Sequence, residues 1–213
     1  MKRFRAGRLA VNVLLATSLT ACGDDGDGAQ PVPSTIDPAA STTTEAGPDG
    51  ALPPAGALEL GPLYGEQLAE LGLKLTDRGG LIDRSGGGYE PSPEGTHLAL
   101  YVAPVGDRTV PQYLDGIRDV AVVFADVFER WPGLESYDVC QEPAGDDDLG
   151  GAEPLPVTQI ELTKEEASAF DWDTVSVIDL VRAAQADPPG LALRVSSSMA
   201  RHPAYVGIVE EAS

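Results

Sequence analysis

Few residues in this chain combine a reactive side chain with a setting that could use it. There are two cysteines, Cys22 and Cys140, and two histidines, His97 and His202. A thiol nucleophile needs a base within hydrogen-bonding reach and a positive neighbour that lowers its pKa. Cys140 with His97 or His202 as base is therefore the enzyme reading open to this sequence, a hydrolase or a thiol-redox protein. The near neighbours oppose it, because Asp138 and Glu142 flank Cys140 and negative charge favours the protonated thiol. The expectation is a buried structural thiol for Cys140, a hydrogen-bonded residue on the sheet for His97, and the start of the last helix for His202. Neither His-x-x-His nor Cys-x-x-Cys spacing occurs, so no metal is expected, and no other cofactor. A Walker-type loop and a G-x-G-x-x-G turn are both missing. Ser85-Gly86-Gly87-Gly88 is a turn rather than a nucleophile elbow, since Asp83 stands where the first glycine belongs. With 34 acidic residues, any carboxylate pair is uninformative, and Asp171-Trp172-Asp173 reads as a helix start. Asp24-Asp25-Gly26-Asp27-Gly28 lacks the spaced ligands and closing glutamate of a calcium loop. No catalytic residue is expected.

The elements that would carry these residues are legible from periodicity. Residues 63–71 have helical spacing, with Gly72 as the stop. Residues 73–76 alternate, 77–80 read as a turn, and 81–83 as the returning half of a hairpin. Over 96–103, Leu98, Leu100 and Val102 face one way and His97, Ala99 and Tyr101 the other, which predicts a strand inside the sheet. Residues 111–131 carry the longest apolar stripe, from Tyr113 and Leu114 through Phe124 and Phe128 to Trp131. The stripe predicts a helix packed on the core, with Gly116 or Ala125-Asp126 as places to bend or split. A ligand groove lined by Phe124 and Phe128 is the alternative to core packing. Residues 134–141 return as a strand, with Tyr137, Val139 and Gln141 opposite Asp138 and Cys140. An acidic loop spans 143–156, and a strand follows at 157–162. Thr163 and Glu166 match a capping box, Asp173 is placed to cap a helix over 174–186, 191–195 alternate, and Pro203 opens a terminal helix. The order spells β-α-β-β-α-β. The expected class is α+β, an antiparallel sheet with helices on one face. That order is also the one of a ferredoxin-like split unit, here with an added N-terminal helix and hairpin and a C-terminal helix.

The first 22 residues carry an address. Met1 to Arg8 is basic without an acid, and the apolar run from Leu9 to about Thr17 carries Asn12 in its middle and is too short to span a bilayer. Leu19-Thr20-Ala21-Cys22 follows, and this tetrapeptide resembles the lipobox of bacterial lipoprotein precursors. The resemblance implies a diacylglyceryl thioether on the Cys22 sulfur, cleavage before Cys22 and acylation of the new amino terminus. Two or three acyl chains anchor a domain stably where one would not. An ordinary cleaved signal prefers a small residue where Leu19 stands. With Cys22 lipidated, Cys140 is alone; without it, a Cys22–Cys140 disulfide stays open. Residues 23–54 hold six Pro, five Gly and six Ser or Thr, with no aromatic or basic residue. Such a composition cannot offset its own ordering entropy. The expected organisation is a signal peptide at 1–21, a lipid-anchored linker at 22–55 and a single α+β domain at 56–213.

The whole chain has 14 basic and 34 acidic residues. Lys2, Arg3, Arg5 and Arg8 leave with the signal, so the mature chain keeps 10 against 34, a net charge of −24. No basic footprint exists for nucleic acid. An anionic membrane surface would repel such a domain, so the anchor has to be covalent. Arginine outnumbers lysine 11 to 3, and with the abundant Ala, Gly and Pro this resembles proteins of GC-rich bacteria such as actinobacteria. The expected protein is lipid-anchored through Cys22 on the extracytoplasmic side of the cell membrane. Its non-catalytic domain would meet another envelope protein or a wall component; the alternative is a cell-surface enzyme using Cys140.

Overall fold

The structure, a computed structural model, describes residues 50–84, 92, 95–144 and 155–213. Cys22 with its lipobox, the turn expected at 85–88 and residues 145–154 of the expected acidic loop lie outside the described residues. Five strands form one sheet: β1 (Leu73–Ile82), β2 (His97–Pro104), β3 (Ser136–Gln141), β4 (Thr158–Thr163) and β5 (Ala192–Val195). The helices are α1 (Gly61–Glu70), α2 (Val110–Val123), α3 (Val127–Arg130), α4 (Lys164–Ser168), α5 (Val177–Gln185) and α6 (Pro203–Ala212). This is the expected α+β class.

Alternation builds the core. Leu98, Tyr137 and Leu162 lie side by side across β2, β3 and β4, and Leu100, Val139 and Ile160 form the next row. All six are buried, and Tyr64 and Leu68 of α1, Ile117 and Val120 of α2 and Leu180 of α5 join them in one cluster. Sequestering these side chains from water is the main favourable contribution to folding.

The ferredoxin-like order and the fully antiparallel sheet do not hold. In a split unit, a third strand separates the two strands that a helix joins. Here β2 and β3, joined through α2, are direct neighbours and run parallel from His97↔Ser136 to Val102↔Gln141. The sheet is mixed and follows chain order, β1 to β5. The physical reason is β1, which was expected to fold back on itself but instead takes one edge of β2 from Leu73↔Pro104 to Ile82↔His97. That leaves only the other edge of β2 for β3.

The hairpin at 73–83 is thus a single bulged strand. Leu75 pairs with Val102 and Gly79 with Leu100, so residues 76–78 bulge opposite Tyr101. Gly79 and Gly80 have φ of +80° and +129°. A Cβ on Gly79 would lie 2.4 Å from the Ala99 carbonyl oxygen, and one on Gly80 2.1 Å from that of Ala55. These glycines allow close approach of neighbouring backbone, not chain reversal.

The long stripe splits at Ala125-Asp126, one of the two expected places: α2 ends at Val123 and α3 resumes at Val127. Phe124 packs on Tyr64 with ring centroids 4.7 Å apart, and Phe128 on Tyr137 at 5.5 Å, so both belong to the core rather than to a groove. Gly116 marks no bend; it admits Gln141, whose Oε1 lies 2.3 Å from where a Cβ would stand. The Thr163 capping box forms, with Thr163 Oγ1 accepting from the Glu166 amide at 3.2 Å and Glu166 Oε2 from the Thr163 amide at 2.7 Å. Asp173 does not cap the following helix. Ser176 does, accepting from the Asp179 amide at 3.2 Å, while Asp171 closes a turn onto the Asp173 amide at 3.1 Å. Packing begins ahead of Gly56: Ala51 accepts from the Gly133 amide and Ala55 from the Leu81 amide, both at 2.9 Å, and Pro53 is buried. Among the described residues no helix is long and apolar enough to cross a membrane.

Candidate functional site

The face of the sheet turned away from the apolar core collects polar side chains, as alternation requires. His97 lies beside Ser136, Ala99 beside Asp138 and Tyr101 beside Cys140. On β4, Glu161 stands beside Asp138 and Gln159 beside Cys140, and Arg194 of β5 stands beside Gln159. His97 is 2 % exposed, Asp138 4 % and Cys140 1 %.

Hydrogen bonds tie the centre of this face together. Ser136 Oγ and His97 Nδ1 are 2.8 Å apart, and Gln159 Nε2 donates to Asp138 Oδ2 at 2.5 Å. His97 Nε2 and Asp138 Oδ1 are buried without a hydrogen-bond partner among the described residues, and His97 Nε2 lies 3.8 Å from Asp138 Oδ2. Towards β5, Glu161 receives Arg84 at 2.5 Å and Arg194 at 3.2 Å. Burial pushes the Glu161 carboxyl up, but the two guanidiniums outweigh it and hold its pKa below the ordinary value. Towards β1, Arg78 lies over the Tyr101 ring at 4.3 Å and pairs with Glu142 at 2.5 Å.

This arrangement decides the chemistry of Cys140. Burial pushes its thiol well above the usual range and Asp138 adds to the rise, with Arg78, Tyr101 and Arg194 offsetting only part. The nucleophile of a thiol enzyme is the thiolate, so a buried, protonated thiol is inert. His97 does share the face with Cys140, as an assembled pair would require, but its Nδ1 is engaged with Ser136. His202 is elsewhere, accepting from the Ala204 amide at 3.2 Å as the cap of α6. The Ser136–His97 contact has the sense of a nucleophile and base. Its third member, Asp138, stands beyond hydrogen-bonding distance of the ring and closes on Gln159 instead. Among the described residues no group of three or more His, Cys, Asp or Glu could hold a metal ion.

The sequence reading singled out His97 and Cys140 but not Ser136, Gln159 or the arginine pairs. A signal existed in Asp138, an acid in the middle of a strand with apolar neighbours, which called for a partner. Which residue supplies it depends on the register of β4 against β3. The chain matches no family model, no curated protein and no solved structure.

Proposed function

We propose that the protein is held on the extracytoplasmic side of the cell membrane by lipid on Cys22 and that its folded domain works by binding rather than by catalysis. The observation that carries the reading is Leu19-Thr20-Ala21-Cys22 behind a basic start and a short apolar run. Support for a binding role comes from Cys140, the one nucleophile the enzyme reading relies on, which is buried with its pKa raised. The ion pairs of Glu161 and Glu142 suit a rigid, presented surface more than proton transfer. The partner is another envelope protein or a wall component. With a mature net charge of −24, attraction to anionic lipid cannot replace the anchor.

The test is metabolic labelling with palmitate in the producing cell, followed by fractionation. The wild type should take up label and sediment with membranes, and Cys22→Ala should do neither. Equal labelling of the two proteins would overturn the reading.

A further inference from the structure

A second polar assembly lies at the carboxyl ends of the parallel strands β2 and β3. Residues 105–109 carry the chain from β2 into α2. Arg108 in that loop donates from Nη1 to Gln141 Oε1 at 3.0 Å and from Nη2 to the Leu71 carbonyl at 3.4 Å. Its guanidinium carbon stands 5.7 Å from the centre of the Tyr113 ring. Gln141 is fully buried, and its amide nitrogen donates to the Tyr113 carbonyl at 3.0 Å and to Thr158 Oγ1 at 2.7 Å. With both N–H groups committed, the amide oxygen has to face Arg108. The guanidinium is therefore held in place by groups that carry no charge.

The other paired arginines are treated differently. Arg78, Arg84, Arg118, Arg130, Arg182 and Arg194 each stand within ion-pair distance of a carboxylate. Among the described residues Arg108 hydrogen-bonds only neutral acceptors, although acids outnumber bases more than twofold in this chain. Burial lowers its pKa, and the fields of Tyr113, Asp119 and Asp115 restore part of the loss. A guanidinium stays charged at neutral pH all the same. A partly desolvated guanidinium with no carboxylate in hydrogen-bonding contact is costly, and an arriving anion offsets that cost. Arg108 also lines a cleft of about 300 Å³, together with Gly72, Pro104, Gly106 and Gln112. Two of its five N–H donors are used, which leaves donors for a two-oxygen acceptor. Asp107 lines the same cleft, and its charge opposes a dianion more than a monoanion.

We infer that this cleft binds a carboxylate, received by the donors of Arg108 that Gln141 and Leu71 leave free. The inference rests on the reading of the domain as a binding module and deepens it by naming the charged group of the ligand. The test is titration of the full-length chain with sodium acetate, against sodium phosphate and sodium chloride at matched ionic strength. NMR reads the Arg108 Nε–H and the backbone amides of residues 105–110. Acetate should give a saturable shift, weakened at least about tenfold in Arg108→Gln and less in Arg108→Lys, which keeps the charge but loses the planar fork. The indole N–H signals of Trp131 and Trp172 report whether each variant is folded; if Arg108→Gln disturbs them, the wild type and Arg108→Lys decide the matter. No saturable response in the wild type overturns the inference, as does an undiminished response in Arg108→Gln. Phosphate binding at least about tenfold tighter than acetate also overturns it and makes the cleft a phosphate site. Palmitate uptake at Cys22 is indifferent to all of these outcomes, so the anchor and the cleft fail separately.

Discussion

Glu161 is the residue at which charge and burial compete most openly. It is partly buried between Arg84 and Arg194, and their pull leaves its folded pKa below the value it would have in an unfolded chain. A depressed carboxyl pKa stabilises the folded state above the unfolded pKa of about 4.3, and that contribution fades as pH falls through the folded pKa. Urea midpoints measured from pH 7 down to pH 3 should therefore show Glu161→Gln less stable than the wild type at neutral pH, with the gap closing below about pH 4. A gap that stays constant over this range would remove the ion pairs as its cause. Cys140 obeys the same physics with the opposite outcome. Its neighbour Asp138 carries the wrong sign, so desolvation goes unopposed by any strong partner and the thiol keeps its proton.

At the scale of elements, α2 and α3 show how a stripe can be right about burial and wrong about continuity. Phe124 follows the last residue of α2 and has no exposed surface, with its ring on Tyr64. Turning the backbone at 124–126 lets Tyr64 donate to Asp126 Oδ1 at 2.9 Å while Arg130 pairs with the same carboxylate. Phe124→Ala would open a cavity between α1 and α2 and should cost about 3–5 kcal/mol in chemical denaturation. Phe128→Ala, at a site 8 % exposed, should fall at or below the lower end of that range. A loss under about 1 kcal/mol at both sites is what surface substitutions give, and it would reassign the stripe to a groove.

For the whole molecule, the point of interest is where the folded body starts. Residues 51–55 have the composition of a spacer, yet two of their carbonyls accept amides from distant elements and Pro53 is buried. A chain beginning at Gly56 loses both hydrogen bonds and the Leu52 and Pro53 contacts. It should be less stable by about 1–3 kcal/mol than a chain beginning at Gly50, at roughly 1 kcal/mol per net hydrogen bond plus the lost apolar burial. Equal urea midpoints for the two chains would return these residues to the linker.

How much of this was legible in the sequence follows from the range of the interactions involved. Alternation at 97–102 and 136–141 placed Leu98, Leu100, Tyr137 and Val139 on one face and His97, Asp138 and Cys140 on the other, because side-chain direction in a strand is a local property. The Thr163 cap and the stop at Gly72 were equally local. Acidic neighbours already argued for a protonated Cys140. Strand partners were not legible, since the choice between folding 73–83 into a hairpin and laying it along β2 is made by contacts with residues fifteen or more positions away. Once β1 occupied that edge, β3 had one place left, and parallel pairing with β2 followed. The same non-local step brought Gln159 to Asp138, Ser136 to His97 and Gln141 to Arg108. Burial and polarity can be assigned one residue at a time, whereas a partner is settled only when the register between strands is set.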